Sequence, residues 1–157
     1  MKVIKILSKN NIAHGMLING IETKIDSKLP SNFNEINKCD KFEILKIECN
    51  KNNTVDFIEF SRIGDYVLEY NDFIFSEKAL KNEIKQLLKY SHCLVDSCTT
   101  YYFPVIKLIL WTNISENQPG YTYGIYKYGY YDSFNDKKIN DIINNVTKYE
   151  KGIRIDI

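Results

Sequence analysis

The residues of this chain best suited to chemistry are His92-Cys93, with Asp96 and Cys98 close behind, and the one other imidazole, His14. A cysteine nucleophile needs its thiolate, a base within hydrogen-bond reach and a third group to orient that base. Here the order of residues works against the chemistry. His92 and Cys93 follow the end of a predicted helix, where the dipole is negative, raising a thiol pKa and favouring a charged His as a C-terminal cap. Neighbouring residues also point in different directions, so His92 is poorly placed as the base for Cys93. A small hydrolase or transferase working through Cys93 or His14 is therefore the alternative reading.

Metal and phosphate chemistry find less support. Cys39, Cys49, Cys93 and Cys98 include no Cys-x-x-Cys pair, whereas tetrahedral zinc sites take their ligands from close pairs. In a reducing compartment such thiols behave as small hydrophobes. Neither His14-Gly-Met nor His92-Cys-Leu has the hydroxyl of a paired His-x-Ser/Thr phosphoesterase, and there is no Gly-x-Gly-x-x-Gly or Gly-Lys-Ser/Thr loop. No metal and no cofactor is expected. Asp56 with Glu59, or Asp65 with Glu69, could form an acid–base pair, but a charged residue on the outer face of a strand is the simpler explanation.

One run stands above background: Tyr121-Thr-Tyr-Gly-Ile-Tyr-Lys-Tyr-Gly-Tyr-Tyr131. Strand alternation places Tyr121, Tyr123, Ile125 and Tyr131 on one face and Tyr126, Tyr128 and Tyr130 on the other. One face can enter a core. The other must be covered or exposed, and tyrosine suits a surface that is wet part of the time. Tyr126, Tyr128 and Tyr130, with the acidic Asp132 and Asp136, are the predicted partner-binding residues. Base stacking by the same tyrosines would make an RNA surface. The run contains no Arg, however, and lacks the order of residues of an RNA-recognition strand.

The elements that must carry these groups can be read from pattern. Asn19-Gly20 between apolar arms predicts a hairpin over 16–25. A loop with Pro30 and a short turn marked by Leu29, Phe33 and Ile36 follows. Strands are predicted at 41–49 and 54–61 around Asn50-Lys-Asn-Asn53, then at 65–70 and 73–75 around Asn71-Asp72. Together these predict an antiparallel meander. Leu80, Ile84, Leu87 and Leu88 form the stripe of a helix from a Ser76 cap to about Tyr90. Further strands are expected at 102–112 and 121–131. A second helix runs from Ser133 along Ile139, Ile142, Ile143, Val146 and Tyr149 to Gly152, and Ile153–Ile157 alternates as a final strand.

The expected fold is therefore α+β: an antiparallel sheet of hairpins and meander packed with two amphipathic helices, in a single domain over 1–157. The 157 residues are enough for a core that needs no metal or disulfide support. Lys and Arg number 21 against 20 Asp and Glu, and only Arg62 and Arg154 are Arg. That balance argues against broad phosphate contact, so nucleic acid is a third reading only. No apolar run approaches the roughly 20 residues of a membrane helix, and the N-terminus lacks a signal-peptide core. A cytoplasmic protein is expected, without a membrane partner. Rigid, near-neutral and without a catalytic constellation, it has the general profile of an inhibitor, such as an immunity protein that neutralises a toxin by binding it.

Overall fold

Asparagine turns organise the first half of the chain. The structure, a computed structural model, describes residues 2–33, 45–62, 66–75, 80–96, 100–115 and 118–127. Strand β1 (Lys2–Lys9) returns through Asn10-Asn11 into β2 (Ile12–Ile18), which returns through Asn19-Gly20 into β3 (Ile21–Lys24). Both residues of each turn have positive φ: 52° and 64° at Asn10-Asn11, 51° and 78° at Asn19-Gly20. That is the type I′ pattern, whose twist matches that of the strands it joins, and Asn and Gly reach it at least cost. The same device, Asn71-Asp72 at 47° and 65°, joins β6 (Tyr66–Tyr70) to β7 (Phe73–Phe75).

Strand β4 (Leu45–Cys49) and β5 (Val55–Arg62) form another hairpin, with Asn53 at φ 60° in its loop. The Asn50 side chain organises that loop: Oδ1 accepts from the amides of Asn52 and Thr54 at 2.9 and 3.2 Å, and Nδ2 donates to the Thr54 hydroxyl at 2.7 Å. The chain after β7 enters helix α1 (Leu80–Leu87), then β8 (Leu94–Asp96), β9 (Thr100–Phe103), β10 (Leu108–Ser115) and β11 (Gln118–Tyr126).

The strands form two sheets. The first is five-stranded, β3-β2-β1-β6-β7, and the second six-stranded, β4-β5-β11-β10-β9-β8. Backbone bonds tie them: Ala13 N–H donates to Ile106 O at 2.9 Å, Asp26 N–H to Val55 O at 2.8 Å, and Val55 N–H to Ser27 O at 2.9 Å. A single cluster of buried side chains draws on both, from Ile4, Met16 and Leu68 in the first to Phe60, Leu110 and Tyr123 in the second.

This corrects the α+β expectation. Among the described residues the architecture is mostly β, with one short helix rather than two amphipathic helices beside one meander. Two physical causes are visible. Strand β1 pairs parallel with β6, Lys2 with Tyr66 through Lys5 with Glu69, so β5 and β6 belong to different sheets and the meander is broken. Helix α1 also ends earlier than predicted: Lys89 and Tyr90 donate to Gln86 and Leu87, three residues back, which tightens the last turn and stops the helix. Ser76, the second helix from Ser133 to Gly152 and the strand Ile153–Ile157 lie outside the described residues. The predicted strand over 102–112 divides into β9 and β10 at Pro104–Lys107, where Lys107 has φ 54°.

Candidate functional site

The sequence-predicted chemistry is dispersed by this fold. Cys93, just before β8, is 2% exposed, and burial pushes its thiol well above the ordinary range, outweighing a backbone hydrogen bond with Tyr102. A thiol held protonated in this way lacks the thiolate that nucleophilic attack requires. His92 is exposed, and its carbonyl accepts the Ser91 hydroxyl at 2.7 Å, while Ser91 Oγ accepts the amide of Val105 at 3.0 Å. Ser91 thereby fastens the end of the helical segment to the β9–β10 turn. Cys49 is exposed at the end of β4; Cys39 and Cys98 lie outside the described residues.

His14 stands in β2 of the first sheet, at a bulge. The β1–β2 register steps from Leu7 opposite Gly15 to Ser8 opposite Ala13, leaving His14 as the extra residue. The side chain is half-buried, and its Nδ1 and the hydroxyl of Thr23 are buried without a hydrogen-bond partner among the described residues. Asp56 and Glu59 are three residues apart in β5, so alternation turns them to opposite sides, and Asp56 accepts Asn50 Nδ2 at 3.1 Å. Asp65 lies outside the described residues. Among the described residues no group of three or more His, Cys, Asp or Glu side chains could hold a metal ion.

The tyrosine run enters the interior. On β11, Tyr123 and Ile125 occupy one face and Gly124 and Tyr126 the other, and all four are buried. Tyr126, 1% exposed, packs against Tyr102 with ring centroids 5.4 Å apart. Gly124 is required by a close approach, since a Cβ there would meet two carbons of the Trp111 indole at 2.8 Å. Lys127 closes the strand: its amide donates to Asp56 O at 3.0 Å, and its ammonium pairs with Asp26 at 2.6 Å. Tyr128, Tyr130, Asp132 and Asp136 lie outside the described residues, so of the predicted binding set only Tyr126 is placed, in the core.

Two groups missed by the sequence reading are more distinctive. Glu83 of α1 is 0% exposed, and Tyr123, also 0% exposed, donates its hydroxyl to Glu83 Oε2 at 2.6 Å. Phe60 stacks on the Tyr123 ring at 5.4 Å and 11°. Glu83 shares its helix face with Ile84 and Leu87 by spacing, a signal already present in the stripe. The second group is the outer edge of the first sheet. Phe73 and Ile74 in β7 are 38% and 45% exposed, and β7 is the last strand of that sheet among the described residues.

That edge ends in a polar lock between two turns. Ser8 Oγ donates to Asn71 Oδ1 at 2.6 Å, Asn71 Nδ2 to Asn11 Oδ1 at 2.9 Å, and the Tyr70 hydroxyl to Asn11 O. Burial pushes the Tyr70 pKa up to about 12, opposed by the Asn71 side chain and reinforced by Tyr90, whose ring meets Tyr70 edge-on at 5.4 Å. The β1–β2 and β6–β7 turns are thus held side by side.

No family model, no curated protein and no solved structure matches this chain. Among the described residues no helix is long and apolar enough to cross a membrane.

Proposed function

We propose that this protein is not an enzyme but binds another protein and blocks it by direct contact, in the manner of toxin-neutralising immunity proteins. The observation that carries the reading is β7. A terminal strand offering exposed Phe73 and Ile74, one to each side, is a template for strand addition, which proteins ordinarily blunt with charge or cover. Locked by Asn71, Asn11 and Ser8, that template is presented without much ordering cost on binding. Tyr128, Tyr130, Asp132 and Asp136, which follow β11, are the further contacts proposed, with Tyr126 as their buried anchor.

The test begins with the partner that co-purifies with the full-length chain, identified by mass spectrometry and assayed for loss of its own activity on adding the chain. Phe73→Lys with Ile74→Lys, and separately Tyr128→Ala with Tyr130→Ala, should each weaken inhibition at least tenfold while circular dichroism stays native. Full inhibition by both double variants would overturn the reading. An enzymatic alternative rests on one observation, the bulge that holds the His14 imidazole with a buried Nδ1 that has no hydrogen-bond partner among the described residues. Its mark would be an activity abolished by His14→Ala.

A further inference from the structure

What the edge of β7 accepts is set by the carboxylate that stands behind it. The type I′ turn at Asn71-Asp72 puts Phe73 opposite Tyr70, with the Phe73 amide facing the Tyr70 carbonyl on β6. By alternation the backbone groups of Phe75 also face β6, and the amide and carbonyl of Ile74 point out of the sheet. The side chains divide likewise. Phe75 is buried in the core cluster, and the exposed Phe73 ring meets it edge-on at 4.9 Å. Ile74 lies on the opposite face beside Glu69, its cross-strand neighbour. Glu69 is half-buried there. The register continues to Lys5 on β1, yet among the described residues Glu69 makes no ion pair. A residue added opposite Ile74 stands two strand spacings from Glu69, about 9–10 Å, a gap that a Lys or Arg spans by laying its stem along Ile74.

We propose that β7 takes an antiparallel partner strand with a basic residue between two apolar ones. The basic residue stands opposite Ile74 and carries its charge to Glu69, and the apolar residues on either side pack against Phe73 and Phe75. This rests on the reading of β7 as the docking strand and names the sequence that the strand selects. Ile74 exchanges both of its outward backbone bonds with the basic residue, which fixes the register. The charge then reads the side chain at that one position. A second copy of this chain is a poor occupant, because its own β7 is Phe73-Ile74-Phe75 and brings no cation to Glu69. Asp72, exposed in the turn, adds negative charge at the same end of the strand.

Two synthetic peptides, alike except for Val-Arg-Val or Val-Glu-Val at their centre, test the charge. Titrated into the isotopically labelled full-length chain, the Arg peptide should shift the Ile74 amide resonance and bind about fivefold tighter than the Glu peptide. Glu69→Lys, native by circular dichroism, should reverse that order, and Glu69→Gln should bring the two peptides close to equal. Added salt should shrink the wild-type preference. Equal binding of both peptides at Ile74, or a Glu69→Lys variant that still prefers Arg, would overturn the basic-residue rule and leave strand addition standing. An Ile74 amide that neither peptide shifts would overturn the inference outright. Docking through β7 is judged separately, by inhibition with Phe73→Lys and Ile74→Lys, so the two can fail independently.

Discussion

The sharpest consequence of this structure concerns the hydroxyl of Tyr123. Tyr123→Phe removes one oxygen and leaves the ring stacked on Phe60 in place, so the perturbation is confined to the 2.6 Å bond to Glu83 Oε2. Both residues are 0% exposed, and water does not replace the lost donor. Leaving a buried acceptor short of a partner costs about 1–3 kcal/mol. For a chain of this length, about 2 kcal/mol lowers the melting temperature by roughly 4–8 °C. Glu83 has further interactions within the fold, so Glu83→Ala, which strips the acceptor, adds a cavity and orphans the Tyr123 hydroxyl, should cost more than Tyr123→Phe. Glu83→Gln keeps an oxygen that can accept and should fall between wild type and Glu83→Ala. Urea denaturation of the four proteins, with the double variant Tyr123→Phe/Glu83→Ala completing the cycle, isolates the coupling. Tyr123→Phe within about 0.5 kcal/mol of wild type, or a coupling of zero, would refute the claim that this bond fastens α1 to the second sheet.

Three further outcomes follow from named contacts. Gly124→Ala drives a methyl into the Trp111 indole at 2.8 Å and should destabilise by about 1–3 kcal/mol in urea, whereas Gly124→Ala in a Trp111→Leu background should recover part of the loss. With Cys39, Cys49 and Cys98 replaced by Ser, Cys93 should resist a disulfide-exchange reagent at neutral pH until urea unfolds the chain; immediate reaction in the native state would contradict its burial. The pKa of Tyr70 is raised from 10.0 to about 12, so its neutral form is favoured in the fold, and the associated stability is complete below pH 10 and lost as pH rises toward 12. Tyr70→Phe should flatten the fall of stability between pH 10 and 12 relative to wild type, and an unchanged slope would count against the buried hydroxyl.

Legibility in the sequence followed the range of the interaction. Asn19-Gly20, Asn50–Asn53 and Asn71-Asp72 were readable because a turn is chosen by the φ its own residues tolerate. Asn10-Asn11 uses the same chemistry, and its turn was not among those read from the sequence. The parallel pairing of β1 with β6 joins residues about 64 apart and leaves no local mark, and with it went the distinction between one sheet and two. Helix α1 was readable from Ile84 and Leu87, but its Glu83 was passed over because a carboxyl group on an apolar stripe reads as solvent-facing until its partner is known. The catalytic reading of Cys93 met the same obstacle from the other side, because its burial depends on contacts made far along the chain.

The placement of Tyr126 bears on where recognition can occur. The middle of the second sheet is filled from both sides: Thr100 to Phe103 are all buried along β9, Leu108 to Leu110 along β10, and Tyr123 to Tyr126 along β11. A strand buried on both faces has no surface to offer, and its aromatics stabilise the frame rather than meet a partner. Recognition is then left to strand edges and to segments that leave the sheets. Strand β7, the outer strand of the first sheet among the described residues, presents exposed Phe73 and Ile74, which suits a largely apolar partner strand of foreign sequence. Phe73→Lys with Ile74→Lys should therefore weaken partner inhibition with the fold intact by circular dichroism, and full inhibition by that double variant would show that recognition does not run through this edge.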